Sequence, residues 1–177
     1  LMISSSSIGG GPKHIFLLSE LIKKENIIFY AFPKYDKYFP KDNYIKISER
    51  KINLKDFFKL IFFIRKNSIN VIHCHGKGAG VIGRILKIFF NLKLIYTFHG
   101  IHLECHNLLE RYFYILYEFI FGRLDDYKVF VSRGELVYAK HNNVFIGNNY
   151  EVINNAVKNK DLRNLKINEN NLSKKSK

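Results

Sequence analysis

Residues 71–102 constrain the fold more than any other stretch of the chain. A β-type apolar run at residues 71–73 leads into His73-Cys74-His75-Gly76. A glycine-spaced helical pattern follows over residues 77–90, and a second β-type run, residues 93–98, closes with Thr97-Phe98-His99-Gly100. As a βαβ unit, this places two strand ends side by side, each carrying a histidine and a glycine. Open α/β sheets take their ligands at that edge.

The flanking chain repeats the same grammar. Strand patterns fall at residues 1–6, 27–32, 44–47, 126–131 and 151–153. Helical patterns fall from Pro12 to about Glu25, over residues 54–67 with Asn53 as cap, over 108–121, and from the cap Ser132 to about His141. Ser132 and Glu135 have capping-box spacing. Alternating strands and helices imply a mostly parallel sheet with helices on both faces and right-handed crossovers. The expectation is an α/β, Rossmann-like, three-layer domain over residues 1–157. Residues 158–177, rich in Lys and Asn, read as a basic polar tail without order. Leu1 stands inside a strand-like run, which implies residues before it.

Net charge is +14 over 177 residues, which raises nucleic acid or an anionic membrane as a partner. Lys here accompanies Asn, Ile, Phe and Tyr, all read from A/T-rich codons, so genome bias accounts for much of the excess. No nucleic-acid motif is present, and no nucleic-acid partner is expected. The two cysteines, Cys74 and Cys105, offer no disulfide framework and suit a reducing cytoplasm. No signal-peptide pattern and no membrane-length apolar run is seen. Aromatic and basic residues mix at 57–66 and 112–123. These stretches are candidates for peripheral membrane contact, but helical periodicity favours burying most of the aromatics in the core.

Three constellations carry possible chemistry. Gly9, Gly10 and Gly11 lie between the first strand and first helix, where peptide N–H groups suit an anion. A tight turn without ligand explains them equally well, and neither this loop nor Gly76-Lys77-Gly78-Ala79-Gly80 is a nucleotide fingerprint. The second is the set His73, Cys74, His75, His99, His102, Cys105 and His106. On a strand, His73 and His75 share a side and Cys74 faces away, so no four-ligand set forms and no metal is expected. The third is His99 before Gly100, a strand-end imidazole able to act as acid, base or hydrogen-bond donor. On the residues alone, a buried structural histidine is the stronger reading.

Three blocks together resemble a known family. They are residues 7–21 (SIGGGPKHIFLLSEL), residues 71–102 with H-x-H and T-x-H-G, and residues 129–135 (VFVSRGE) with 152–157 (VINNAV). In order and spacing they are similar to the N-terminal domain of GT-B glycosyltransferases of family 4, the retaining group that makes capsules, lipopolysaccharide, exopolysaccharide and glycolipids. The resemblance implies the first half of a GT-B fold and transfer of a sugar from a nucleotide-sugar to a glycan or lipid-linked acceptor. It implies no cofactor beyond that substrate. It assigns His99 as the catalytic histidine near the transferred sugar and brings Gly9, Gly10 and Gly11 to the donor phosphates or sugar. It places His75, Gly76, Lys77 and Gly100 along the acceptor side of the cleft. Ala156 stands where the family usually has Gly. The Arg, Lys and Glu residues that hold the donor in the family have no counterpart here. The resemblance therefore implies an acceptor domain, inactive alone without its donor half, as a truncated or split gene product; an acceptor-binding subunit completed by a donor-binding domain in trans is one alternative. A non-enzymatic glycolipid- or membrane-binding module is the rival reading.

Overall fold

The computed structural model describes residues 1–4, 14–18, 29–31, 44–46, 54–145 and 147–155. Among the described residues there are seven strands: β1 (Met2–Ser4), β2 (Phe29–Ala31), β3 (Tyr44–Lys46), β4 (Val71–His75), β5 (Lys93–Phe98), β6 (Tyr127–Phe130) and β7 (Tyr150–Val152). Four helices alternate with the later strands: α1 (Leu54–Lys66), α2 (Lys77–Phe89), α3 (Leu108–Phe121) and α4 (Arg133–His141). Residues 14–18 are also helical. The cap expected at Asn53, the Gly9-Gly10-Gly11 loop and the tail at 158–177 lie outside the described residues.

All seven strands are parallel, in the order β3-β2-β1-β4-β5-β6-β7. From β1 the chain steps one way through β2 and β3. It then crosses to β4 and steps the other way through β7. The reversal falls between β1 and β4, where Ser4 pairs with His75. A crevice opens at such a switch point, beyond the carboxyl ends of the strands. The fold itself thus selects the edge on which His75 and His99 stand.

The glycines of α2 answer to packing. A Cβ on Gly83 would collide with the Cys74 sulfur and stand 2.8 Å from Leu94 Cδ1, and one on Gly80 would stand 2.7 Å from the Tyr96 ring. The helix therefore lies directly on β4 and β5. Contact with Ile72, Leu94, Tyr96 and Phe98, all buried, offsets the glycines' poor helix propensity. Gly76 differs: its φ is +83° and open space surrounds the position a Cβ would take. α1 and α4 both leave through a left-handed non-glycine residue, Ser68 (φ 48°) and Asn143 (φ 56°). Ile69 N–H to Ile64 O and Val144 N–H to Ala139 O close those ends.

One buried ion cluster ties α2 and α3 to β6. The Arg84 guanidinium donates to Glu118 at 2.8 and 3.2 Å and to Asp125 at 2.7 and 2.9 Å. It lies 4.9 Å from the Tyr96 ring centroid and 5.1 Å from that of Tyr117. Lys128 adds a contact to Asp125 at 3.1 Å and donates to the Gly122 carbonyl at 2.5 Å. Burial alone would lower the Arg84 pKa, but the hydrogen bonds to Asp125 and Glu118 reverse this and raise it. A cavity of about 330 Å³ beside Glu118, Lys128 and Phe145 opens near the start of β6, at the opposite end of that strand from the crevice. Of the charges on its wall, Glu118, Asp125 and Lys128 are already paired.

The helix surfaces depart from expectation. Leu60 and Ile64 of α1 are buried, as the periodicity predicts. Phe58, Phe62, Tyr112, Phe113 and Phe119, expected mostly in the core, are exposed. The inward side of α3 is instead occupied by Glu118, which must reach Arg84, and that contact turns the aromatic arc outward.

Candidate functional site

β-pleat alternation puts His73 and His75 of β4 on one side of the sheet and sends Cys74 to the other, against α2. The two imidazoles stack at 4.1 Å between centroids. His73 Nε2 lies 2.7 Å from the Thr97 hydroxyl of β5. His75 Nδ1 lies 3.0 Å from His99 Nε2, directly joining the ends of β4 and β5. His14, in the helical segment at 14–18, completes the group at 5.7 Å from His75 and 5.3 Å from His99. Sequence reasoning did not single out His14. Its signal is its place at the start of the helix after the glycine loop, which the fold aims at the same strand edge.

Burial keeps these rings neutral. It is the first cause of lowered pKa in His73 and His99, each brought down to about 4, and in His75, which falls well below its usual value. The neighbouring imidazoles push in the same direction. His14 is also lowered, mainly by burial, with a hydrogen bond to Asn155 opposing. His75 Nε2, His99 Nδ1 and Ser4 Oγ are buried without a hydrogen-bond partner among the described residues. All three belong to the switch-point edge.

The His75–His99 bond has a chemical consequence. If His75 Nδ1–H donates, His99 carries its proton on Nδ1 and His75 Nε2 is a bare acceptor. If His99 Nε2–H donates, His99 Nδ1 becomes the bare base and His75 holds a proton on Nε2. The pair can therefore present a donor or an acceptor to a hydroxyl by exchanging tautomers, without either ring taking a net charge.

The backbone around the pair is held by glycines and one carboxylate. Gly76 N–H donates to Thr97 O at 3.0 Å. Gly100 has φ +101°, and a Cβ there would press on the His102 ring. Its N–H donates to Glu135 Oε1 at 2.5 Å, while Val131 N–H donates to Glu135 Oε2 at 3.2 Å. Glu135 N–H in turn donates to the Ser132 hydroxyl at 3.1 Å. The expected capping residue thus also clamps the loop after β5, a role the spacing alone does not reveal. Lys77 is directed to α3, with its ammonium 4.2 Å from the Tyr114 ring centroid. His106 bonds Glu110 at 3.2 Å and Cys105 is exposed, so neither joins the cluster. Among the described residues, no three His, Cys, Asp or Glu side chains are grouped to hold a metal ion.

A parallel α/β sheet with its polar cluster at the switch point defines a Rossmann-like binding domain. The family model for Glycosyltransferase Family 4 matches residues 8–160, and the chain belongs to that family. In fold it is similar to MurG of Acinetobacter baumannii, a GT-B glycosyltransferase, with a TM-score of 0.55 at 11% identity. The match covers 89% of this chain and 46% of that one, so the chain spans about half the length of that relative. No curated protein matches by sequence. The domain is of the N-terminal GT-B type.

Proposed function

We propose that this domain is the acceptor-side half of a retaining glycosyltransferase. It moves a hexose-type sugar from a nucleotide-sugar to a surface-polysaccharide or lipid-linked glycan acceptor, of the kind used for capsule or lipopolysaccharide. The single observation that carries the reading is the His75–His99 pair at the β1/β4 switch point, in a chain of this family. His99 is the catalytic residue: a neutral imidazole beside the transferred sugar, hydrogen-bonding a sugar hydroxyl as charge builds on the departing diphosphate. Gly9, Gly10 and Gly11 approach the donor phosphates from this side. His75, Gly76, Lys77 and Gly100 line the acceptor side of the cleft.

The unit spans residues 1–157, with 158–177 as a basic tail. A donor-binding domain, in the same polypeptide or in trans, completes the cleft. The reaction uses no metal and takes place in the cytoplasm. Among the described residues, no helix is long and apolar enough to cross a membrane. The test is transfer of radiolabelled sugar by the chain together with a donor-type domain encoded beside it. Transfer that needs both partners supports the reading. Full transfer by the donor partner alone would refute it.

A further inference from the structure

β5 ends at Phe98, whose ladder partner is Phe130, the last residue of β6. His99 therefore stands one residue past the sheet, and residues 100–107 beyond it are neither helix nor strand. A ring that must meet His75 at 3.0 Å is thus carried on a backbone the ladder no longer holds. The hold comes from α4. Gly100 N–H, two residues past β5, and Val131 N–H, the first past β6, both donate to the Glu135 carboxylate, at 2.5 and 3.2 Å and to different oxygens. Where the ladder stops, that carboxylate bridges the two strand ends. Bonds from backbone N–H to an ionised carboxylate are among the stronger hydrogen bonds in a protein. Glu135 is itself fixed from behind: it stands in the first turn of α4, where the helix dipole favours an acid, and its own N–H donates to Ser132 Oγ at 3.1 Å.

We propose that Glu135 is the positioning residue for His99: acting through Gly100, its carboxylate keeps the imidazole at bonding distance from His75 on the switch-point edge. It is not an acid or base of the reaction. Both oxygens accept from backbone N–H groups, and its link to the imidazole runs along the main chain. Helix capping does not account for the arrangement. A capping-box glutamate turns back to the N–H of its own cap residue, as Glu110 does to Asn107 N–H at 3.2 Å on α3. Glu135 instead reaches one residue further back, to Val131, and across to a different strand end. Gly100 has little freedom to follow another course, because it sits at φ +101° against the His102 ring. The consequence for turnover rests on the transfer reaction proposed above, whereas the positioning itself is read on the chain without substrate.

The test is NMR of the full chain carrying isotope-labelled histidine, at neutral pH. The expected wild-type signature is one ring proton shared between His75 and His99, slow to exchange with water and coupled across the bond to both ring nitrogens. Ser132→Ala removes the helix cap but not the bond to Gly100, and should keep the signature. Glu135→Asp keeps the charge in the first turn of α4 but is one methylene short of Gly100, and should lose it, as should Glu135→Ala. Glu135→Gln keeps the reach and one acceptor, and should restore most of it. Asp suits a first helical turn, so Glu135→Asp carries the test even where Glu135→Ala fails to fold. In transfer with a donor-binding domain, Glu135→Asp should lower kcat by roughly tenfold or more with KM little changed. Survival of the signature in Glu135→Asp would overturn the proposal, and so would its equal loss in Ser132→Ala or its absence from the wild type. A lost signature with unchanged transfer would uphold the positioning and refute the proposed role of His99 instead.

Discussion

Replacing Arg84 by methionine tests whether the buried ion cluster holds the helix layer to the sheet. The side chain's volume is roughly kept, so the loss is mainly electrostatic. Four hydrogen bonds disappear, and two carboxylates with side chains 1% and 0% exposed lose their cation. Asp125 keeps Lys128 at 3.1 Å. Glu118 keeps no comparable contact and becomes the buried orphan. Breaking such a pair from one side costs about 3–5 kcal/mol, a large share of the ~5–15 kcal/mol that stabilises a domain. With a urea slope of about 2 kcal/mol per M, the unfolding midpoint should fall by roughly 1.5–2.5 M. Adding Glu118→Leu removes the orphan and should recover about half or more of that loss. Burial already raises the Glu118 pKa, and without Arg84 nothing as close opposes it. A carboxyl raised in the folded state costs stability above its unfolded pKa and ceases to as pH falls through the folded value. The deficit of Arg84→Met should therefore be smaller at pH 5 than at pH 8. A loss below about 1 kcal/mol, or a double variant no better than the single, would refute the reasoning.

Other outcomes follow from the same structure. His73 and His99 are held from 6.5 down to about 4, so the unfolded chain binds more protons between those values. Stability should be full above pH 6.5, fall as pH drops toward 4 and level off below. One such histidine withdraws roughly 3 kcal/mol. Urea midpoints from pH 7.5 to 4.5 measure this, and a flat profile would contradict a neutral cluster. Of the two thiols, the exposed Cys105 should react at once with a disulfide reagent. Cys74, fully buried and with its thiol pushed up by that burial, should react only on unfolding. Two fast thiols would mean that α2 does not lie on β4 as described. Gly100→Ala should lower stability by about 1–3 kcal/mol, because the φ of +101° and the His102 ring both oppose a side chain. An unchanged thermal midpoint would sink that account.

Periodicity made most of the fold legible. The runs at 71–73 and 93–98 became β4 and β5, and the two-residue spacing of His73 and His75 put both rings on one side with Cys74 opposite. β4 continues two residues further than its apolar run because His75 pairs with Thr97 in the ladder while its ring is buried among other imidazoles. The glycine spacing around the start of α2 was legible but not its reasons, which the structure divides: Gly80 and Gly83 pack on the sheet, while Gly76, just before the helix, turns the chain. Contacts distant in sequence were not legible. His14 reaches a cluster some sixty residues on only because β1 and β4 are neighbours. Glu135 reads as a cap because the spacing to Ser132 is local, whereas its bond to Gly100 depends on strand order. The aromatics of α1 and α3 follow helical spacing, but spacing cannot say which arc faces the sheet. Glu118 and Arg84 decide that for α3, and they were invisible as a pair before the fold was known.

The most direct measurement of the central claim is sugar transfer by the chain together with the donor-binding domain proposed to complete it, wild type against His99→Ala. The His75–His99 pair at the switch point predicts a loss of about 10²-fold or more, in a variant that still folds but is less stable by about 1–3 kcal/mol for the lost bond to His75. Wild-type turnover in His99→Ala would remove that imidazole from the reaction and contradict the site described here.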